Sequence, residues 1–189
     1  MILWTVQPLE VYKQLKKTGV YRCEPSHSGV DKDFIPAYKW LVDKMEKQIG
    51  KRPDGVKLPV WAWYIRDWKH KKPDLRLSEY GRHGEKMVLF EIEIPDKAVV
   101  LSDYNAWHFV LNKWYLGNST NEEEWDAEQR WLESLSPKNR KAEIIKSWDN
   151  VFDIRPLDNE FVQRGRYIQA TFWELKINNI RKVQFFTAR

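Results

Sequence analysis

The segment Leu58-Pro59-Val60-Trp61-Ala62-Trp63-Tyr64-Ile65 decides how the rest of the chain is interpreted, because it places two tryptophans on alternate positions of one short predicted strand. Successive side chains of a strand point to opposite faces, so Trp61 and Trp63 share one face while Val60 and Ala62 share the other. A strand of this composition either fills a wide core or forms the wall of a pocket for a flat ligand. The sequence leaves both alternatives open.

Length and charge favour one soluble domain. The chain has 189 residues, of which 32 are Lys or Arg and 27 are Asp or Glu. A chain of this length buries one ordinary core, so we expect a single domain over residues 1–189. The formal charge of +5 is a mild basic bias. It favours a nucleotide, another anionic ligand or nucleic acid as the partner.

Cysteine content and hydropathy bear on the compartment. Cys23 is the only cysteine, so an internal disulfide cannot form. The longest apolar runs, near residues 58–65 and 98–101, are too short to cross a bilayer. No signal-like segment opens the chain. We therefore expect a cytoplasmic protein without a membrane partner.

The hydrophobic pattern predicts an α+β domain with mixed, mostly antiparallel sheets and peripheral helices. It begins with a strand near residues 2–6, a helix that ends at Gly19, and a second strand over Val20 to Cys23. A longer amphipathic helix ends at Gly50. Further strands are predicted at 87–94, 98–101, 151–154, 167–175 and 183–187.

Two stretches interrupt this pattern. Residues 66–86 form the densest basic region and are predicted to be a polar loop. Residues 118–148 are predicted to be a helical insertion, because Thr120 and Glu123 have the spacing of a capping box and Ser136 precedes a proline that starts a second helix.

Metal and phosphate-loop motifs are absent from the sequence. The histidines, at positions 27, 70, 83 and 108, have no zinc-site spacing with one another or with Cys23, so no metal is expected. None of the eight glycines opens a helix after a strand with phosphate-loop spacing.

Polar residues at two strand ends are the remaining candidates for a site. Asp103 and Asn105 lie at a predicted strand-to-helix corner, where free backbone N–H groups bind anions or ribose hydroxyls, although helix capping alone also accounts for Asp103. Gln169 and Glu174 project from opposite faces of a late strand. They either bind a ribose or form a solvated strand rim.

Several of these segments resemble known families. The initial Leu3-Trp4-Thr5-Val6-Gln7 and the Trp61-Ala62-Trp63-Tyr64 block resemble a bacterial family described as a domain of unknown function, over the whole chain. More remotely, the chain resembles the ADP-ribosyltransferase fold, in particular its DNA-targeting toxins and RNA phosphotransferases. That likeness rests on the first strand, helix and strand, on residues 90–95 leading to 101–106, and on Gln169-Ala170-Thr171.

The second resemblance implies an NAD-dependent enzyme or a related nucleotide-binding protein. Such enzymes hold NAD in a cleft between two small sheets and break the nicotinamide–ribose bond, which requires an aromatic wall, ribose and pyrophosphate donors, and a carboxylate. Thr5 stands where relatives have His or Arg, and Thr171 where the toxins have Glu, so the implied catalytic motif is degenerate. The catalytic candidates are Gln169 and Glu174, and the cofactor-binding candidates are Thr5, Gln7, Arg22, Trp61, Trp63, Tyr64, Asp103 and Asn105.

Two other functions fit the same residues. In a non-enzymatic module that binds RNA or single-stranded DNA, the indoles stack on bases and the basic residues of 66–86 bind the backbone. In a metal-dependent nuclease, Asp153 and the Glu174-Leu175-Lys176 segment form the acidic pair and lysine. One structural observation bears on all three functions, namely whether Trp61, Trp63, Arg22, Asn105 and Gln169 converge on one cleft.

Overall fold

The computed structural model describes residues 1–25 and 30–189, which form ten strands and five α-helices. The strands are β1 (Ile2–Pro8), β2 (Val20–Tyr21), β3 (Val60–Arg66), β4 (Lys86–Glu93), β5 (Val100–Asp103), β6 (Leu157–Asp158), β7 (Gln163–Arg164), β8 (Tyr167–Phe172), β9 (Leu175–Lys176) and β10 (Ile180–Thr187). The helices are α1 (Leu9–Thr18), α2 (Ile35–Ile49), α3 (Tyr104–Leu111), α4 (Glu122–Ser134) and α5 (Pro137–Ser147).

Six strands form one sheet in the order β10-β4-β1-β3-β8-β5, and each neighbouring pair is antiparallel. Two short antiparallel pairs, β2 with β9 and β6 with β7, lie outside this sheet. The expected α+β class and the antiparallel strands are confirmed.

The middle of the large sheet is a narrow seam. β1 pairs with β4 over seven positions, yet with β3 only through Trp4 opposite Trp63. The Thr5 hydroxyl donates to the carbonyl oxygen of Trp61 at 2.7 Å, a side-chain bond where a continuous ladder would have backbone bonds. The sheet therefore consists of two three-stranded halves, β10-β4-β1 and β3-β8-β5, which are joined at one residue pair.

Each face of the sheet carries its own core, because the alternation along β3 sends neighbouring residues to opposite sides. Val60 and Ala62 pack with Leu15 of α1 in one cluster. Trp61 packs against the other cluster, which contains Leu41 of α2 and Trp107 of α3. The helices thus cover both faces of the sheet around the seam.

Several predicted elements are confirmed, among them the first strand, the helix that ends at Gly19 and the helix that ends at Gly50. Gly19 has a φ of 77° and its N–H bonds the carbonyl oxygen of Leu15, the left-handed helix end that glycine adopts most readily. None of the helices described is long and apolar enough to cross a membrane.

Two local predictions are wrong. The strand predicted at 151–154 is instead a 3₁₀ turn over Trp148–Phe152, because that turn brings Trp148 and Val151 to the same side, where both are buried. The first helix of the predicted insertion is capped by Asn121, whose side chain accepts from the N–H of Glu124, and not by Thr120.

Candidate functional site

A cleft of about 280 Å³ opens at the seam between β1 and β3. Its walls are aromatic rings, and its polar groups come from both halves of the sheet and from the loop after β3. We call it the indole cleft. Its rings belong to Trp4, Trp61, Trp63, Tyr80 and Tyr104. Its polar side chains are Thr5, Gln7, Glu79 and Gln169.

The two alternating tryptophans of β3 have different roles. Trp61 packs towards the core, with its ring centre 5.3 Å from that of Trp107. Trp63 forms the wall, since its ring centre is 5.2 Å from that of Tyr104 and the guanidinium of Arg66 lies 4.4 Å from its ring centre. The strand therefore both fills the core and forms the wall of a pocket, the two alternatives that its sequence left open.

The amide and hydroxyl groups of the cleft are positioned by strand register. Gln169 lies opposite Trp63 on β3 and opposite Ser102 on β5. Gln7 donates from its side-chain amide to the Thr5 hydroxyl at 2.8 Å, which fixes both side chains on β1. The Gln169 amide has no hydrogen-bond partner among the residues described, so both its donor and its acceptor face the cleft unused.

Buried polar atoms around the cleft also lack partners. The indole N–H of Trp61, the hydroxyl of Tyr80 and the hydroxyl of Ser102 have no hydrogen bond within the described part of the chain. A buried polar group without a partner costs about 1–3 kcal/mol. A ligand with acceptors in the cleft would remove that cost for Trp61 and Tyr80, and also for Trp4, whose indole N–H is likewise without a partner among the described residues and which lines the cleft.

The loop after β3 supplies one wall of the cleft. Asp67 and Trp68 have φ values of 51° and 64°, an uncommon conformation for such residues, in a turn closed between Arg66 and Lys69. The loop then returns so that the Glu79 carboxylate lies 2.6 Å from the buried guanidinium of Arg66.

Tyr80 follows Glu79 and is itself buried. Burial, together with the adjacent Glu79 carboxylate, raises the pKa of Tyr80 well above its ordinary value. The hydroxyl therefore stays protonated at neutral pH. It is a neutral donor next to a carboxylate that is held in place.

Other residues that sequence reasoning assigned to the site lie elsewhere. Arg22 and Glu174 form an ion pair at 2.6 Å, and Lys176 lies 3.7 Å from the same carboxylate. Tyr64 packs against His70 and against the core on the α1 face. None of the three candidates, Arg22, Tyr64 and Glu174, lines the indole cleft.

At the strand-to-helix corner, Asp103 stabilises the fold. The Asp103 carboxylate accepts from the N–H of Ala106 at 3.0 Å and from the N–H of Gly165 at 2.6 Å. Asp103 and Asn105 line a separate cavity, whereas Tyr104 between them lines the cleft. The cleft thus gathers five of the candidates, Thr5, Gln7, Trp61, Trp63 and Gln169.

Sequence reasoning missed Trp4, Glu79, Tyr80 and Tyr104 as cleft residues. Trp4 lies beside Trp63 through the pairing of β1 with β3, a contact between residues far apart in sequence that no local pattern specifies. Glu79 and Tyr80 belong to a loop without periodicity and gave no signal. His27 lies outside the described residues, and among the described ones no group of three His, Cys, Asp or Glu side chains is placed to hold a metal ion.

Residues 2–181 match the model of a family described as a domain of unknown function, DUF3841. The chain belongs to this family. The match confirms a domain of unknown function over nearly the whole chain, and the indole cleft of this DUF3841 domain lies entirely within the matched residues. No curated protein and no solved structure matches the chain.

Proposed function

We propose that the DUF3841 domain binds a nucleotide, with a flat heteroaromatic ring in the indole cleft. The convergence of the Trp63 and Tyr104 faces with the unused Gln169 amide and the unpartnered donors of Trp61 and Tyr80 carries this proposal. Aromatic faces bind any flat ring by stacking, and the polar groups choose a ring with hydrogen-bonding edges.

The size of the cleft limits what it holds. Pockets for drug-sized ligands measure about 300–1,000 Å³, and the cleft is just below that range at about 280 Å³. A ring with its sugar fits this volume, and the phosphates then extend outside. The loop that forms one wall also carries exposed lysines at positions 69, 71 and 72, of which Lys71 lies 3.8 Å from the Asp67 carboxylate and Lys72 donates to Gln184 on β10. In this proposal these lysines bind the phosphates.

NAD is the nucleotide that the resemblance to ADP-ribosyltransferases implies. Those enzymes hold NAD between two small sheets, and the seam between the two three-stranded halves offers a comparable location in this chain. The nicotinamide carries both a flat ring and an amide. The Gln169 side chain and the Tyr80 hydroxyl supply complementary hydrogen-bonding groups.

Thermal unfolding with ligand tests the binding step. A ligand present at a hundredfold excess over its Kd stabilises the folded state by about 2.7 kcal/mol. For a domain of this length, that raises the Tm by roughly 5–10 °C. We expect such a shift with NAD or ADP-ribose and not with inorganic phosphate. A folded protein whose Tm is unchanged by both nucleotides at millimolar concentration would contradict the proposal.

Glu79 is the carboxylate best placed for any reaction in the cleft. Cleavage of NAD by water gives ADP-ribose, nicotinamide and a proton, and a positioned carboxylate contributes about 10²–10⁴ to such a step. Glu79 is the one carboxylate among the described residues that line the cleft, where Arg66 holds it in place, whereas Glu174 lies outside the cleft.

Two matched variants separate these carboxylates. Glu79→Gln is expected to lower NAD hydrolysis about 100-fold while the Tm shift with NAD remains. Glu174→Gln is expected to leave the rate within about twofold, since its carboxylate lies outside the cleft. Nicotinamide release, followed by chromatography, measures both. If Glu174→Gln lost activity and Glu79→Gln kept it, the reaction would be assigned to Glu174.

Binding of RNA or single-stranded DNA is the second candidate, favoured by the position of the basic loop. The same loop carries exposed lysines and contributes Glu79 and Tyr80 to the cleft, so a base on Trp63 and phosphates on the lysines fit one strand. The affinity for a labelled oligonucleotide would then fall steeply with salt concentration. Oligonucleotide binding that does not depend on salt concentration would exclude this candidate. Binding of NAD without any binding of the oligonucleotide would exclude it as well.

A further inference from the structure

A second cavity, of about 530 Å³, lies beyond the Asp103–Asn105 corner. It is lined by α3, by residues 115–119, by α4 and by the β6–β7 hairpin, and we call it the helical cavity. It shares no lining residue with the indole cleft. It is therefore a separate site, and its volume falls in the range of small-molecule pockets.

Aromatic rings face this cavity without being covered. Phe109 from α3, Trp125 from α4 and Phe161 from the hairpin line it, and all three are exposed large apolar side chains. Trp125 and Phe161 make no ring contact with another aromatic residue in the described part of the chain. Rings left open to solvent around one hollow mark a binding site better than scattered exposed residues do.

The charge around the helical cavity is negative. Its lining contains the carboxylates of Asp103, Glu128 and Glu160, against one basic side chain, Arg164. The Arg164 guanidinium lies 2.7 Å from the carboxylate of Asp153 outside the cavity, which Arg155 also contacts, so the three lining carboxylates still exceed the one lining cation. An anion such as a phosphate is therefore repelled from this site.

One carboxylate of the cavity is free to bind a ligand. Asp103 accepts two backbone N–H groups, and Glu128 accepts from the Ser119 hydroxyl at 2.6 Å and from the Asn118 N–H at 3.2 Å. Glu160 has no ion-pair or hydrogen-bond partner among the described residues. The side-chain amides of Asn105 and Gln129 are likewise unused.

We propose that the helical cavity binds an organic cation of the alkylammonium class. The positive charge lies over the faces of Trp125 and Phe161, which attract cations through the negative face of the ring, and close to the Glu160 carboxylate. The amides of Asn105 and Gln129 bind a hydroxyl or N–H group elsewhere on the ligand. The combination of aromatic faces with net negative charge selects this class over neutral apolar molecules.

Calorimetric titration of the full chain with choline tests the charge requirement. The control ligand is the neutral tert-butyl analogue of choline, in which carbon replaces nitrogen and the shape is preserved. Choline is expected to bind at least about tenfold more tightly than the analogue, because the analogue has no attraction to the ring faces or to the carboxylate. Equal affinities of choline and the neutral analogue would overturn the proposal.

Matched variants locate the binding. Trp125 is 45% exposed and lines the cavity, whereas Phe185 on β10 is 55% exposed and lies outside it. Trp125→Ala is expected to weaken choline binding about tenfold or more, and Phe185→Ala by less than about twofold. Glu160→Gln is expected to weaken it about fivefold, whereas Glu123→Gln, on an exposed part of α4, leaves it unchanged. Equal losses in a variant and its control would contradict the site.

The cation has two sources, a free small molecule or a methylated lysine of another protein. A peptide that carries trimethyllysine is therefore titrated beside choline. Tighter binding of the peptide identifies a protein side chain as the ligand, and tighter binding of choline identifies a free ammonium compound. Failure of both ligands rejects the alkylammonium class.

Discussion

Replacing Trp63 by alanine is expected to remove between about a third and nearly all of the thermal stabilisation that NAD or ADP-ribose gives the protein. Trp63 forms the open wall of the indole cleft, and Arg66 lies against one face of its ring. Stacking of a base on an aromatic side chain contributes about 1–3 kcal/mol as judged by alanine substitution. That range corresponds to a loss of affinity of roughly 5- to 150-fold.

The design of this experiment depends on a suitable tryptophan for comparison. Trp61→Ala is a poor choice, because Trp61 packs against Tyr38 and Trp107 and its loss would weaken the core. Trp114 is 57% exposed just after α3 and lies outside the cleft, so Trp114→Ala should keep the full ligand-induced shift. If Trp63→Ala kept that shift as well, the ligand would not stack in this cleft.

Replacing Asp103 by alanine is expected to lower the free energy of unfolding by about 2–5 kcal/mol. Loss of a helix cap costs about 0.5–2 kcal/mol, and the N–H of Gly165, left buried without an acceptor, costs about 1–3 kcal/mol more. Asp103 is only 2% exposed, so water does not replace the lost acceptor. The Tm should fall by roughly 5–15 °C in a thermal melt.

Two substitutions calibrate this result. Ser136→Ala removes the exposed cap of α5, whose bond to the N–H of Asn139 is 3.4 Å long, and should cost at most about 0.5–1 kcal/mol. Asp103→Asn keeps one acceptor oxygen, so its loss of unfolding free energy should lie between those of Ser136→Ala and Asp103→Ala. A stable Asp103→Ala protein that has lost its response to nucleotide would instead place Asp103 in the binding site.

Strand alternation was sufficient to put Trp61 and Trp63 on one side of their strand, because that property is local to the strand. The position of Gln169 opposite Trp63 depends on the register between β3 and β8, which is set by tertiary structure. The local capping pattern identified the corner at Asp103. Neither local pattern could show that Arg22 and Glu174 neutralise each other, since the pair joins residues that are far apart in sequence.

The positions of Glu79 and Tyr80 in the wall of the cleft could not be predicted from the sequence, for a different reason. Their loop has no hydrophobic period, and its path depends on the contact between Glu79 and Arg66. Nothing local to either residue specifies that contact. The side chains that complete the cleft are therefore fixed by tertiary structure alone.

The single residue pair at the centre of the sheet has a mechanical consequence. Stiffness across a sheet normally comes from an unbroken backbone ladder, whereas here the two halves are held together mainly by side chains and by the helices that cover them. A molecule wedged between residues 5–7 and 61–63 would brace the halves against each other. Its arrival would thus be transmitted to both edges of the sheet, through β10 on one flank and β5 on the other.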